Sequence, residues 1–160
     1  MKIAIIVKRL DVGGTQRQAL SLAGELKRAG NNVKVYTFLR PKENCFGDLL
    51  EGLQVISLGE YIGRKKNIGR FAMYVDFFVS LYKENMAAKK LALLIDKDTE
   101  ILNPHDHVSY RVAAFFKKKV KRVPSVWMMN DMPTRYWFFW RESQFNPKLK
   151  LSLVKKILYR

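Results

Sequence analysis

Ile3-Ala4-Ile5-Ile6-Val7, followed by Asp11-Val12-Gly13-Gly14-Thr15, decides the fold. The first stretch is a short apolar run rich in β-branched residues and ended by a turn signal. That pattern predicts a strand buried on both faces, as in a parallel sheet. After the paired glycines, Ala19, Leu20, Leu22, Ala23, Leu26 and Ala29 recur at helical spacing, with Gln16, Arg17, Glu25, Lys27 and Arg28 between them. Gly30-Asn31-Asn32 is a helix stop signal. Val33-Lys34-Val35-Tyr36-Thr37-Phe38 then reads as a second strand. Strand, glycine turn, helix, strand is a βαβ unit. In an open parallel sheet, ligands bind beyond the carboxyl ends of the strands, where the Gly13-Gly14 turn falls.

Working outward, residues 40–63 read as loop with one strand, Gln54-Val55-Ile56-Ser57-Leu58. A long helical pattern covers about 67–96, carried by Phe71, Tyr74, Val75, Phe78, Leu81, Tyr82, Leu91, Leu94 and Ile95, with a break expected near Asn85. Its length suits a crossover that returns the chain to the start of the sheet. Residues 98–103 predict a short strand ended by Pro104. His105-Asp106-His107 follows, then a helix over 108–119 and a strand over 123–129 that delivers Asn130-Asp131. Three segments should therefore share one rim: Gly13-Gly14, His105-Asp106-His107 and Asn130-Asp131. An aromatic stretch over 132–140 and a basic amphipathic segment over 147–160 complete the chain. The consecutive aromatics cannot all face one core, so some must meet a partner, a membrane or another part of the protein.

The chain of 160 residues is long enough for one domain with a sizeable core, and 48% hydrophobic residues mark it as globular. The single cysteine, Cys45, excludes an internal disulfide framework and points to a reducing, cytoplasmic compartment. No secretory signal is expected at the start, and no apolar stretch reaches the ~18 residues a membrane span needs. Charge is the outlier, with 30 basic against 14 acidic side chains and a formal net charge of +16. Basic clusters fall at Arg64-Lys65-Lys66, 117–122 and 148–160. Either these solvate helix ends or they meet an anionic partner: phosphorylated small molecules, lipid headgroups or nucleic acid. Nucleic acid is disfavoured by the βαβ order and by the absence of a recognised nucleic-acid module in the sequence.

The glycine turn is neither a P-loop, lacking Gly-Lys-Ser/Thr, nor the three-glycine dinucleotide fingerprint. Either its two glycines merely make the turn, or its backbone N–H groups receive an anion at the helix start. His105-Asp106-His107 provides too few ligands for a metal. It is either a polar wall for a hydroxylated ligand or a histidine satisfied at a strand end. No serine sits in a glycine-flanked elbow, so no nucleophilic triad can be assembled. Arg135 and Arg141 are either phosphate-binding or surface arginines.

Taken in order, Lys2-Ile3-Ala4-Ile5-Ile6, Gly13-Gly14-Thr15-Gln16-Arg17-Gln18, Leu26-Lys27-Arg28-Ala29-Gly30, Ile101-Leu102-Asn103-Pro104-His105-Asp106-His107 and Pro124-Ser125-Val126-Trp127-Met128-Met129-Asn130-Asp131 resemble a known family. They look like the N-terminal domain of GT-B glycosyltransferases of family 4, the "group 1" enzymes. The resemblance spans nearly the whole chain. It implies a Rossmann-like acceptor-side domain over 1–145. Residues 146–160 would be a basic helical tail or the start of an interdomain linker. The donor-binding C-terminal domain would lie outside this sequence, leaving these 160 residues inactive alone.

The resemblance further implies a retaining transfer from a nucleotide sugar to a lipid-linked or polysaccharide acceptor, without metal or cofactor, at the inner membrane face. Gly13, Gly14 and Thr15 would face the donor phosphates. Gln16, Arg17, His107 and Arg135 would contact the acceptor. His105, Asp106, Asn130 and Asp131 are the candidates nearest the chemistry. Two departures stand out: many relatives carry a histidine where this chain has Asn130, and another where it has Asn103. Asparagine can bond a sugar but cannot exchange a proton at neutral pH. The alternative reading is a non-catalytic basic module bound to anionic membrane surfaces. A small Rossmann-like enzyme complete in itself is disfavoured by the lack of a nucleophile or cofactor fingerprint.

Overall fold

In a computed structural model of the chain, the described residues are 1–11, 13–39, 45–59 and 70–128, with the side chains of 70–78 left aside. Four strands, β1 (Lys2–Arg9), β2 (Asn32–Leu39), β3 (Gln54–Ser57) and β4 (Ile101–Pro104), form one sheet in the order β3-β2-β1-β4. All three pairings are parallel, with Ile5 opposite Val35 and Asn103, and Val35 opposite Val55. Among the described residues, four helices accompany them: α1 (Gly14–Arg28), α2 (Gly47–Leu50), α3 (Arg70–Leu94) and α4 (His107–Lys119). The arrangement is the α/β, Rossmann-like open parallel sheet expected from the opening stretch.

Alternation along β1 sorts the core into two halves. Ile3, Ile5 and Val7 pack with Ala19, Leu20 and Ala23 of α1 on one face. Ala4 and Ile6 pack with Ala88 and Leu91 of α3 and with Val112 and Phe116 of α4 on the other. Side chains of a strand point alternately to opposite faces, so a run apolar at every position must be covered on both.

Gly30 does end α1. Its φ of 82° is left-handed. Gly30 N–H donates to Lys27 O at 2.9 Å and Asn31 N–H to Leu26 O at 3.1 Å. That pair of bonds is a Schellman cap. The helix α3 runs unbroken through Asn85, contrary to the expected break. An asparagine costs a helix only about 0.7 kcal/mol. Burial of Ala87, Ala88 and Leu91 outweighs that.

Two strand boundaries differ from expectation. Residues 97 and 98 form a turn, Glu100 N–H donates to Lys2 O at 2.8 Å, and β4 itself begins at Ile101 and keeps Pro104 as its last residue. The strand expected over 123–129 is reduced to one parallel bridge, Leu102 to Ser125. Leu102 N–H donates to Pro124 O at 3.1 Å and Val126 N–H to Leu102 O at 2.9 Å. The next donor in a parallel ladder would be the N–H of residue 104, and proline has none. The Asn103 side-chain amide takes over that acceptor, donating to Val126 O at 2.8 Å. The boundary expected at residue 146, the aromatic stretch and the basic tail lie outside the described residues.

Candidate functional site

The helices α1 and α4 leave adjacent parallel strands, β1 and β4, and cover opposite faces of the sheet. That is the topological switch point of the sheet, where the loops diverge and open a crevice at the carboxyl ends. The expected convergence of Gly13-Gly14 with His105-Asp106-His107 is thus present. Asn130, Asp131 and Arg135 lie outside the described residues.

On the α1 side, Gly13 caps the helix without a side-chain bond, and no acidic residue occupies the first turn. Arg17 N–H makes the first intrahelical bond, to Gly13 O at 3.2 Å. The N–H groups of Gly14, Thr15 and Gln16 precede it and have no intrahelical acceptor. Gly13 is extended, with φ of 174°. Among the described residues, the left-handed glycines are Gly30, Gly52 and Gly59. The turn therefore does not need glycine for its backbone. A Cβ on Gly13 would strike the Gln16 side chain, whereas one on Gly14 would meet nothing within 4 Å. Gly14, Thr15 and Arg17, with Gln18 and Ser21, line a shallow open hollow of about 580 Å³.

On the α4 side, three consecutive residues have three different surroundings. The His105 side chain is fully buried, with Nε2 2.6 Å from Asn103 Oδ1. Burial holds it below the usual histidine range, and Asp106 opposes that shift. Asp106 caps α4, accepting from Val108 N–H at 3.0 Å and Ser109 N–H at 2.9 Å on Oδ1. Its Oδ2 accepts from Lys8 N–H at 2.5 Å, which ties α4 to β1 across the switch point. The roles expected for His105 and Asp106 near the chemistry meet a buried ring and a carboxylate engaged by three backbone N–H groups. His107 opens α4 and is half-buried. Burial, then the Lys8 charge, lowers it from the usual range against the pull of Asp106 and Glu84.

Sequence reasoning missed the residues around His107. Glu84 of α3 lies 3.5 Å from Lys8 Nζ and 3.5 Å from an Arg111 guanidinium nitrogen, which also reaches Asn85 Oδ1 at 3.3 Å. Arg111, one helical turn after His107, was a readable signal. Glu84 was not, because its partners are distant in sequence. Nearby, Trp127 is 52% exposed and meets Tyr110 edge-on at 4.4 Å. The Tyr110 hydroxyl donates to Met128 O at 2.9 Å. Among the described residues, no group of three or more His, Cys, Asp or Glu could hold a metal ion. No described helix is long and apolar enough to cross a membrane.

No family model matches the chain. Over 83 residues, 51% of its length, it is 32% identical to the alpha-1,3/1,6-mannosyltransferase ALG2 of Yarrowia lipolytica. The match takes in 18% of that enzyme, so the chain spans only a small part of the curated relative it resembles. Among solved structures it is similar to the C-terminal domain (residues 83–215) of the PF1911 hydrogenase from Pyrococcus furiosus. The TM-score is 0.52 at 14% identity, over 79% of this chain and 90% of that one. A second structure of that domain (residues 78–226) gives 0.50 at 16% identity, over 80% and 90%. At these identities the structural likeness concerns the fold alone. The chain is a Rossmann-like α/β domain with partial sequence similarity to a mannosyltransferase.

Proposed function

We propose that this chain is the acceptor-side domain of a nucleotide-sugar-dependent, retaining glycosyltransferase acting on a lipid-linked or polysaccharide acceptor. The observation that carries the reading is the 83-residue similarity to a mannosyltransferase. A fold whose switch-point crevice brings the glycine turn beside the start of α4 supports it. The glycosidic bond would form between an acceptor hydroxyl and the anomeric carbon of the donor. The bond from that carbon to the nucleoside diphosphate would break, and the hydroxyl proton would leave with the departing phosphate. Retention of configuration follows from the family resemblance.

In this reading the α1 N-terminus offers the N–H groups of Gly14, Thr15 and Gln16 to phosphate, complemented by the helix dipole. Neither Gly13 nor Gly14 is required by backbone conformation, so the bare helix start serves close approach of a ligand. Arg17 and His107 contact the acceptor; Asn130, Asp131 and Arg135, outside the described residues, keep the roles that the family resemblance implies. His105 and Asp106 position the wall from behind. A second domain supplies the donor site, and no metal takes part. The exposed Lys117, Lys118, Lys119, Lys121 and Arg122 favour attachment to an anionic membrane surface.

The test is transfer of a labelled sugar from a panel of nucleotide sugars to glycan acceptors. It compares the 160-residue chain with the same chain joined to a donor-binding domain. Transfer by the joined protein alone is expected. Absence of both transfer and donor hydrolysis in the joined protein defeats the reading. The alternative, a non-catalytic basic module, predicts salt-sensitive co-sedimentation with anionic vesicles and no transfer by either protein.

A further inference from the structure

Lys8, Glu84 and Arg111 come from three elements, β1, α3 and α4, and meet at the carboxyl edge on the face opposite α1. Their side chains are 25%, 16% and 32% exposed, so all three are largely withdrawn from water yet reachable. The two cations share one carboxylate. Glu84 Oε1 lies 3.5 Å from Lys8 and Oε2 lies 3.5 Å from Arg111. Charge-assisted bonds normally close to about 2.7–2.9 Å. Among the described residues, Asn85 Oδ1 at 3.3 Å is the other acceptor seen for the Arg111 guanidinium. An ammonium offers three donors and a guanidinium five, so donors here far exceed acceptors.

The neighbouring carboxylate, Asp106, directs its oxygens to backbone N–H groups of Lys8, Val108 and Ser109. The charged form of the adjoining His107 is disfavoured by burial and then by the Lys8 charge. A carboxylate has two oxygens in one plane and falls short of both cations. A phosphate presents more acceptor oxygens than a carboxylate and can serve the two cations on separate oxygens with acceptors to spare.

We infer that Lys8 and Arg111 form a phosphate-binding subsite in which Glu84 holds the ligand's place. Binding displaces the Glu84 carboxylate toward solvent and seats a phosphate group between the two cations. The inference needs no sugar transfer and stands apart from the reading of the α1 turn. The phosphate has two sources, free in solution or carried on a sugar.

Calorimetric titration at fixed low ionic strength and pH 7 tests it, using inorganic phosphate and glucose 1-phosphate. Glu84→Gln should bind phosphate several-fold more tightly than the parent, roughly fivefold, because the resident anion is gone. Lys8→Met and Arg111→Gln should each bind about tenfold more weakly. Lys118→Met removes the same charge from the exposed end of α4 and should leave affinity unchanged. Tighter binding of glucose 1-phosphate than of phosphate assigns a sugar-borne group, and equal affinities assign free phosphate. A gain in Glu84→Gln cannot arise from unfolding, which protects the test from a merely destabilised variant. The inference is overturned if Glu84→Gln binds no better than the parent. It also fails if Lys118→Met loses as much affinity as Arg111→Gln, since binding is then diffuse attraction to a cationic surface.

Discussion

The two ends of the sheet carry similar numbers of charges and use them differently. At the amino end, side-chain charges pair one to one, one pair about half exposed and the other partly buried. Lys2 meets Asp98, Lys34 meets Asp96 at 2.6 Å, and the Lys2 N–H donates to Glu100 at 2.6 Å. At the carboxyl end, two side-chain cations share Glu84, and Asp106 bonds to backbone N–H groups from two elements. At one end each cation has its own carboxylate, and such simple pairs contribute little. The other is a partly buried, donor-rich rim at the switch point. The presence of charges therefore does not mark a site; the balance of donors and acceptors in a partly buried place does.

The largest effect should come from the residue that closes the carboxyl end. Asp106→Ala removes the cap of α4 and its tie to β1 together. A loss of about 3 kcal/mol is expected, measured by chemical denaturation. Asp98→Ala at the amino end should leave the midpoint unchanged. Similar losses from both substitutions would erase the contrast between the ends.

Next in size is Asn103→Leu. It strips partners from His105 Nε2 and Val126 O, both beside the bridge that Pro104 cuts short. A cost of about 2 kcal/mol is expected in the same measurement. A neutral result would show that this network is replaced by other contacts.

A smaller effect follows from pH. His105 and His107 have pKa values lowered in the fold relative to the ordinary 6.5, so the unfolded chain takes up protons first. Their contribution is complete above about pH 6.5 and is lost as pH falls below it. Denaturation midpoints between pH 8 and pH 5 should show this decline, and His105→Gln should flatten it. The exposed Lys2–Asp98 pair has shifts of the stabilising sign, Lys2 raised and Asp98 lowered, and leaves this window untouched.

The smallest effect separates stability from binding. Gly14→Ala meets open space and a helical backbone. It should raise stability by about 0.5–1 kcal/mol. The added methyl at the bare helix start should weaken phosphate binding there. Unchanged binding would assign the glycine no part in ligand approach.

The opening of the chain was legible because its signals are local. The apolar run of β1, the helical spacing of α1 and the stop at Gly30 depend only on neighbours in sequence. The short strand after residue 122 was misread because Val126, Trp127 and Met128 have strand character. The termination lies instead in the partner strand, where Pro104 lacks a donor. The rim was legible in outline from strand direction. Its parts were not: His105, Asp106 and His107 are adjacent, yet they become core, cap and half-exposed wall. Asp106 immediately before a helix was readable as a cap. Glu84 depended on how α3 lies against α4, which no local pattern states.

Ligand binding at the carboxyl edge, around the switch point between β1 and β4, is what the proposed function and the phosphate subsite both require. Backbone amide shifts by NMR, followed during titration with glucose 1-phosphate, test it most directly. The largest shifts are expected at Lys8, residues 13–17 and residues 106–111. Largest shifts at Lys2, Lys34 and residues 96–100, or along the lysines of 117–122, would contradict it.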